Sequence, residues 1–278
     1  MRTLYTFLIA TAALWAMPRN AHGQLYVSPE FHAPGFVGKY NAKTGAEINA
    51  NFITELNVPS GIAAKGNILF VADLINGTVG KYDAKTGDAI NPNFIAGLSK
   101  PEGIALLDNN LFVTNLDTGT VGKYDAKTGA TINANFITAL SGPEGLALLG
   151  NTLFVTNLDT GTVGKYDAKT GAEINASFIT GLDSPVGVAV KGKILFVANN
   201  GSGTIGTYDT KTGIAINANF ITGLNFPQEI ALLDHTLFVA DSGAGTVGTY
   251  DTKTGVAINA NFIVGLNFPV GLAVKSGK

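Results

Sequence analysis

The chain repeats itself every 42 residues. The tyrosines of a V-G-K/T-Y motif fall at Tyr40, Tyr82, Tyr124, Tyr166, Tyr208 and Tyr250, and the prolines Pro59, Pro101, Pro143, Pro185, Pro227 and Pro269 keep the same interval. A fixed period of this length belongs to architectures that stack one supersecondary unit on the next. Six such periods leave no room for a second domain or a linker.

Each unit reads as four short strands. In the third copy these are residues 103–107, 111–114, 120–124 and 132–137, separated by the turn clusters Asp108-Asn109-Asn110, Asp117-Thr118-Gly119 and Asp125-Ala126-Lys127-Thr128-Gly129. Helical spacing of apolar residues is absent after the N-terminal segment. Four strands in 42 residues is the pattern of a propeller blade, and the expectation is an all-β, six-bladed β-propeller. The repeat begins at a second strand (Leu25-Tyr26-Val27) and ends after a first one (Gly271-Leu272-Ala273-Val274). Pairing of those two segments would complete one blade and leave no open sheet edge. Closure would also let the fold do without disulfides, since the chain has no cysteine.

Residues 1–23 read as a secretory signal: Arg2 supplies the charge, residues 4–17 a mostly apolar stretch, and Ala21-His22-Gly23 a small-residue end. The stretch is short for a membrane span, which takes about 20 residues. Cleavage after Gly23 removes Arg2 and Arg19 from the 18 basic residues and leaves 16 against 20 acidic ones. The remaining chain, residues 24–278, is read as one exported propeller domain, secreted, periplasmic or at the cell surface, and monomeric. Its acidic balance excludes nucleic acid as an expected partner.

The unit P-x-G-I-A … L-F-V-A-D … G-T-V-G-K-Y-D resembles the NHL repeat, and Leu111-Phe112-Val113-Thr114-Asn115 through Asp125 is similar to the YVTN repeat of bacterial and archaeal surface proteins. The resemblance implies the propeller fold rather than one activity, since propellers serve as enzymes, binding platforms and scaffolds.

Candidate functional residues stand out where the copies differ. The residue after each repeat proline is Ser60, Glu102, Glu144, Val186, Gln228 and Val270; the copy with Gln228 also has Glu229 where the others have glycine. The residue closing each second strand is Asp73, Asn115, Asn157, Asn199 or Asp241, and a longer segment with Glu30 and His32 stands in the first copy. Both sets are expected on one face of the disc. Carboxylates and amide oxygens converging on an axis suit Ca²⁺ or Mg²⁺. A distant similarity to six-bladed senescence-marker/gluconolactonase propellers implies metal ligands preceding an inner-strand glycine, a placement that Glu102 and Glu144 match. The candidate metal set is therefore Glu102, Glu144, Asn115, Asn157 and Asn199, with Ser60, Asp73, Gln228, Glu229 and Asp241 on the same ligand-binding face. The plain alternative for the Asp/Asn series is turn formation.

Other chemistries fail on inventory. Beyond the signal only His32 and His235 remain, too few for a histidine zinc site or a Ser-His-Asp set, and no phosphate-cradling glycine loop leads into a helix. The turn lysines Lys43, Lys85, Lys127, Lys169, Lys211 and Lys253 read as solvated, and the phenylalanines from Phe52 to Phe262 as core between blades. The expected function is a binding or scaffolding module for a protein or glycan partner. The alternative is a metal-dependent, lactonase-like hydrolase with its cation at the axial mouth.

Overall fold

The computed structural model describes residues 23–29 and 35–277. Most of the expected export signal, with Glu30 and His32, lies outside them. The described residues form 24 strands in six four-stranded antiparallel sheets, each a blade. Blade three runs from the innermost strand Pro101–Leu107 through Asn110–Asn115 and Thr120–Asp125 to the outermost strand Thr131–Ile137. Blades two, four, five and six repeat that order from Pro59, Pro143, Pro185 and Pro227.

Blade one is assembled from both ends of the chain. Its innermost strand is Pro269–Lys275, which pairs with Gln24–Pro29 through Leu25 opposite Val274 and Val27 opposite Leu272. The six innermost strands contact one another in an unbroken ring, blade one against blade two and blade six against blade one. The six-bladed propeller and its closure are as the repeat predicts.

Burial explains the strand sequences. A middle blade strand has neighbours on both faces, so it is apolar throughout: Leu111, Phe112 and Val113 are fully buried, and Leu153, Phe154 and Val155 repeat them. Six hydrophobic clusters, one per seam, hold adjacent blades together. Fully burying one such side chain contributes about 1.5–3 kcal/mol. Outermost strands bury only their last turnward residues, which is why they alternate isoleucine, asparagine and alanine and then end on Phe-Ile.

Two glycine positions are fixed by close approach. In V-G-K-Y the tyrosine ring lies over the glycine two residues earlier, and a Cβ on Gly80 would stand 2.5 Å from the Tyr82 ring. At the axis the innermost strands nearly touch, and a Cβ on Gly103 would meet the Glu144 carbonyl oxygen at 2.3 Å. Each outer hairpin is an Asx turn: Asp125 Oδ1 accepts the amides of Lys127 and Thr128 at 3.0 and 2.8 Å.

Candidate functional site

The loops entering the innermost strands and those leaving the second strands share one face of the disc. Leu116 donates its amide to the Lys100 carbonyl at 3.0 Å, and Ser242 to that of Phe226 at 3.2 Å. On this face the strand pairing slips between the proline and the third residue after it, for example between Pro101 and Ile104. Such a bulge re-aims the residues it contains. It turns Glu102, Glu144, Gln228, Glu229, Val186 and Val270 toward the axis, where they and the strand glycines line a cavity of only about 20 Å³.

The residue before each repeat proline is left-handed in every blade: Val58, Lys100, Gly142, Ser184, Phe226 and Phe268 have φ between 45° and 62°. Only blade four uses glycine there. Non-glycine residues in this region store strain of roughly 1–2 kcal/mol each, and strain of this kind concentrates where a surface has a task.

Glu229 occupies the position that glycine holds in the other blades. Its carboxylate sits among the closely packed inner strands and accepts the amide of Ile230 at 3.1 Å. Loss of hydration raises its pKa from an ordinary 4.5 to about 7, against the smaller opposing effect of that amide. Near neutral pH the group therefore exchanges a proton, unlike an ordinary surface glutamate.

On this shared face the two residue sets sit differently. Glu102, Glu144, Gln228 and Glu229 surround the axial opening. The Asp/Asn series does not line it: Asp73, Asn115, Asn157, Asn199 and Asp241 are buried beneath the loops. Asp73 accepts the amides of Asn57 and Asn76, Asp241 that of Asn225, and Asn115 that of Ser99. Asn157 and Asn199 donate to Thr162 and Thr204 at 3.3 Å. Their strand end points sideways into the loop rather than inward to the axis. Ser60 is likewise turned into the protein, donating to the Pro101 carbonyl at 2.8 Å. Among the described residues no three His, Cys, Asp or Glu side chains stand close enough to hold a metal ion. His235 is exposed in its turn, away from this face.

Two features escape a reading of the sequence. Thr114 and Thr156 in second strands, and Ser28 in blade one, are fully buried hydroxyls that bridge neighbouring blades. The face also carries exposed apolar side chains on three successive blades: Phe226 of blade six at 56%, Phe268 of blade one at 48% and Ile75 of blade two at 57% exposure. The carboxylates Glu102 and Glu144 lie across the axis on blades three and four. A phenylalanine next to a repeat proline is the sequence signal for this exposure, since Lys100, Gly142 and Ser184 occupy the same place elsewhere.

The chain matches no protein-family model, and no curated protein matches it. Among solved structures it is similar to a chain in the crystal structure of a nidogen/laminin complex, with a TM-score of 0.78 and 16% identity over 91% of this chain and 98% of that one. The likeness is one of fold.

Proposed function

We propose that the protein is a binding module of the NHL/YVTN type, exported by way of residues 1–23, that holds a protein partner on the face around Glu102, Glu144, Gln228 and Glu229. The observation that carries this reading is the exposure of Ile75, Phe226 and Phe268 on the face that also holds the axial carboxylates. Exposed aromatics rimmed by polar groups are the usual anchors of protein interfaces. The axial cavity of about 20 Å³ holds little more than a water, so recognition falls to the surface around it. A closed ring is already ordered, and little conformational entropy is lost when a partner docks. The similar solved chain comes from a complex between proteins, a use of the fold consistent with this reading.

The test is affinity capture from envelope and culture-fluid fractions of the source cells with the wild type and with Phe226→Ser/Phe268→Ser. A partner retained by the wild type and lost from the variant is expected. Equal retention by both, or none by either, removes the reading. Calorimetric titration with Ca²⁺ and Mg²⁺ of the wild type and of Glu102→Ala/Glu144→Ala tests the hydrolase alternative. Stoichiometric binding lost in that variant would turn the search to lactones and esters.

A further inference from the structure

Each third strand places one residue beneath the outer hairpin of the next blade. In blades one to four it is a lysine. Lys39 Nζ donates to the carbonyls of Ala84 and Lys85 at 3.0 and 3.2 Å, and Lys123 Nζ to those of Ala168 and Lys169, both at 3.2 Å. Lys81 reaches Lys127, and Lys165 reaches Thr210, in the same way. Each ammonium also lies over the outermost-strand phenylalanine of its own blade, 4.3 Å from the ring centre at Phe52 and 4.7 Å at Phe136. The seam is thus a preformed alkylammonium site of two carbonyls and one aromatic face.

Blades five and six have threonine instead. Thr207 and Thr249 turn their hydroxyls back to Asn217 and Asn259 of their own outermost strands, each at 3.2 Å. The seam between blades five and six is still crossed: Lys191 donates to the Asp234 carbonyl and to the Thr252 hydroxyl. Leu233 holds the place of Lys191 in blade six. Among the described residues no lysine therefore crosses from blade six to blade one, and a cavity of about 590 Å³ opens there between Thr249, Phe262, Asp234, Ala42 and Lys43.

Both halves of the ammonium site survive at this seam. Asn41 Oδ1 accepts the amides of Lys43 and Thr44 at 2.9 and 3.0 Å, reproducing the turn that Asp83 makes with Lys85 and Thr86. Gly45 packs on the Phe262 carbonyl as Gly87 packs on that of Phe52. Phe262 is partly exposed, whereas Phe52, Phe94, Phe136 and Phe178 are buried. The Lys43 side chain is exposed, as is Lys85, which does not keep Lys39 from its place. We infer that the seam between blades six and one binds an unbranched alkyl chain ending in a primary ammonium, the chemistry of a lysine side chain, with Phe262 and the carbonyls of Ala42 and Lys43 as its contacts.

The probe is n-butylammonium chloride, titrated into the full chain and followed by amide NMR, with n-butanol as the uncharged control. Saturable shifts of Ala42, Lys43 and Thr44 in the millimolar range are expected, absent with butanol and weakened at least about tenfold in Thr249→Lys, where an internal ammonium fills the site. Thr249→Lys should also melt at a higher temperature than the wild type. Phe262→Leu, which removes the ring but keeps an apolar side chain, should weaken binding as well. Shifts seen in the wild type assign the site to an outside lysine. Shifts seen only in Lys278→Ala equally support it and make the chain's own lysine the occupant. No saturable shift in either chain, equal shifts with butanol, or binding untouched by both Thr249→Lys and Phe262→Leu would overturn the inference.

Discussion

Thr114 of blade three donates its hydroxyl to the carbonyl oxygen of Glu144 in blade four at 2.8 Å. The Thr114 hydroxyl oxygen in turn accepts the Gly103 amide at 2.7 Å. One small side chain thereby joins two innermost strands at the axis, next to the carboxylates that mark the candidate face. Thr156 repeats the link to Val186 at 2.6 Å.

Thr114→Val keeps the shape and removes both bonds, leaving the Gly103 amide and the Glu144 carbonyl to find other partners. A loss of about 1–3 kcal/mol is expected from denaturant unfolding. The ring should still close, because Ala72, Ala198 and Ala240 stand at this position in other blades. An unchanged midpoint would show that the bridge contributes nothing net.

Lys123→Thr gives blade three the residue of blades five and six. Lys123 is buried, and its neutral form is favoured by lost hydration, so its pKa lies below the usual lysine value. The two carbonyls and the Phe136 face offset that burial. Removing the ammonium should cost about 1–3 kcal/mol, read as a lower unfolding midpoint.

Gly103→Ala should be far worse than its single methyl suggests. The added carbon meets backbone at 2.3 Å, and the ring leaves no side to which the strand can shift. A cost above about 3 kcal/mol is expected. Gly66→Ala, at an exposed turn with φ of 58° and nothing within 4 Å, should cost about 1 kcal/mol. Comparable losses at the two sites would contradict the close-approach account.

Stability should peak in mildly acidic solution. Glu229 has a raised folded pKa of about 7, so the native state holds its proton while the unfolded chain releases it above about pH 4.5. Its penalty is absent at low pH, grows as pH rises through that window and levels off above 7, reaching at most about 3 kcal/mol. Asp83, Asp125, Asp167, Asp209 and Asp251 act in the opposite sense. Their turn hydrogen bonds lower the folded pKa, and the stability they contribute is lost as pH falls below the ordinary carboxylate range. Glu229→Gln should flatten the curve between pH 4.5 and 7 and leave the acid limb in place, as followed by thermal melts.

Phe226→Gly separates fold from binding. The backbone at Phe226 is left-handed with φ of 57°, and Gly142 shows that glycine fits the same place. Stability should stay level or rise by up to about 1 kcal/mol, while capture of a partner should fall. A stable variant with undiminished capture would move the interface elsewhere.

The fold was legible because every blade restates it: the tyrosine and proline intervals set the blade count, and the strand type at Leu25 foretold its pairing with Val274. The ring of Glu102, Glu144, Gln228 and Glu229 was legible for the opposite reason, since these positions vary inside an otherwise constant unit. Strand ends are harder. A residue that closes a strand can face the axis or the loop, and its residue type alone does not decide between them. Asp73 and Asn115 therefore read as candidate ligands, although they hold loops. Lys39 and Lys123 are hard to place from sequence for another reason, because a lysine in mid-strand ordinarily faces solvent. Only the neighbouring hairpin, 45 residues on, shows where the ammonium goes.

The pairing of Gln24–Pro29 with Pro269–Lys275 sets a timetable for the growing polypeptide. Blade one is completed only when Pro269–Lys275 has been made, so Gln24–Pro29 waits, unpaired on its inner side, while the strands of the other five blades are synthesised. Until that strand docks, the blade is a three-stranded sheet and the ring of innermost strands has a gap. Closure of the ring is thus the last step that the order of synthesis allows.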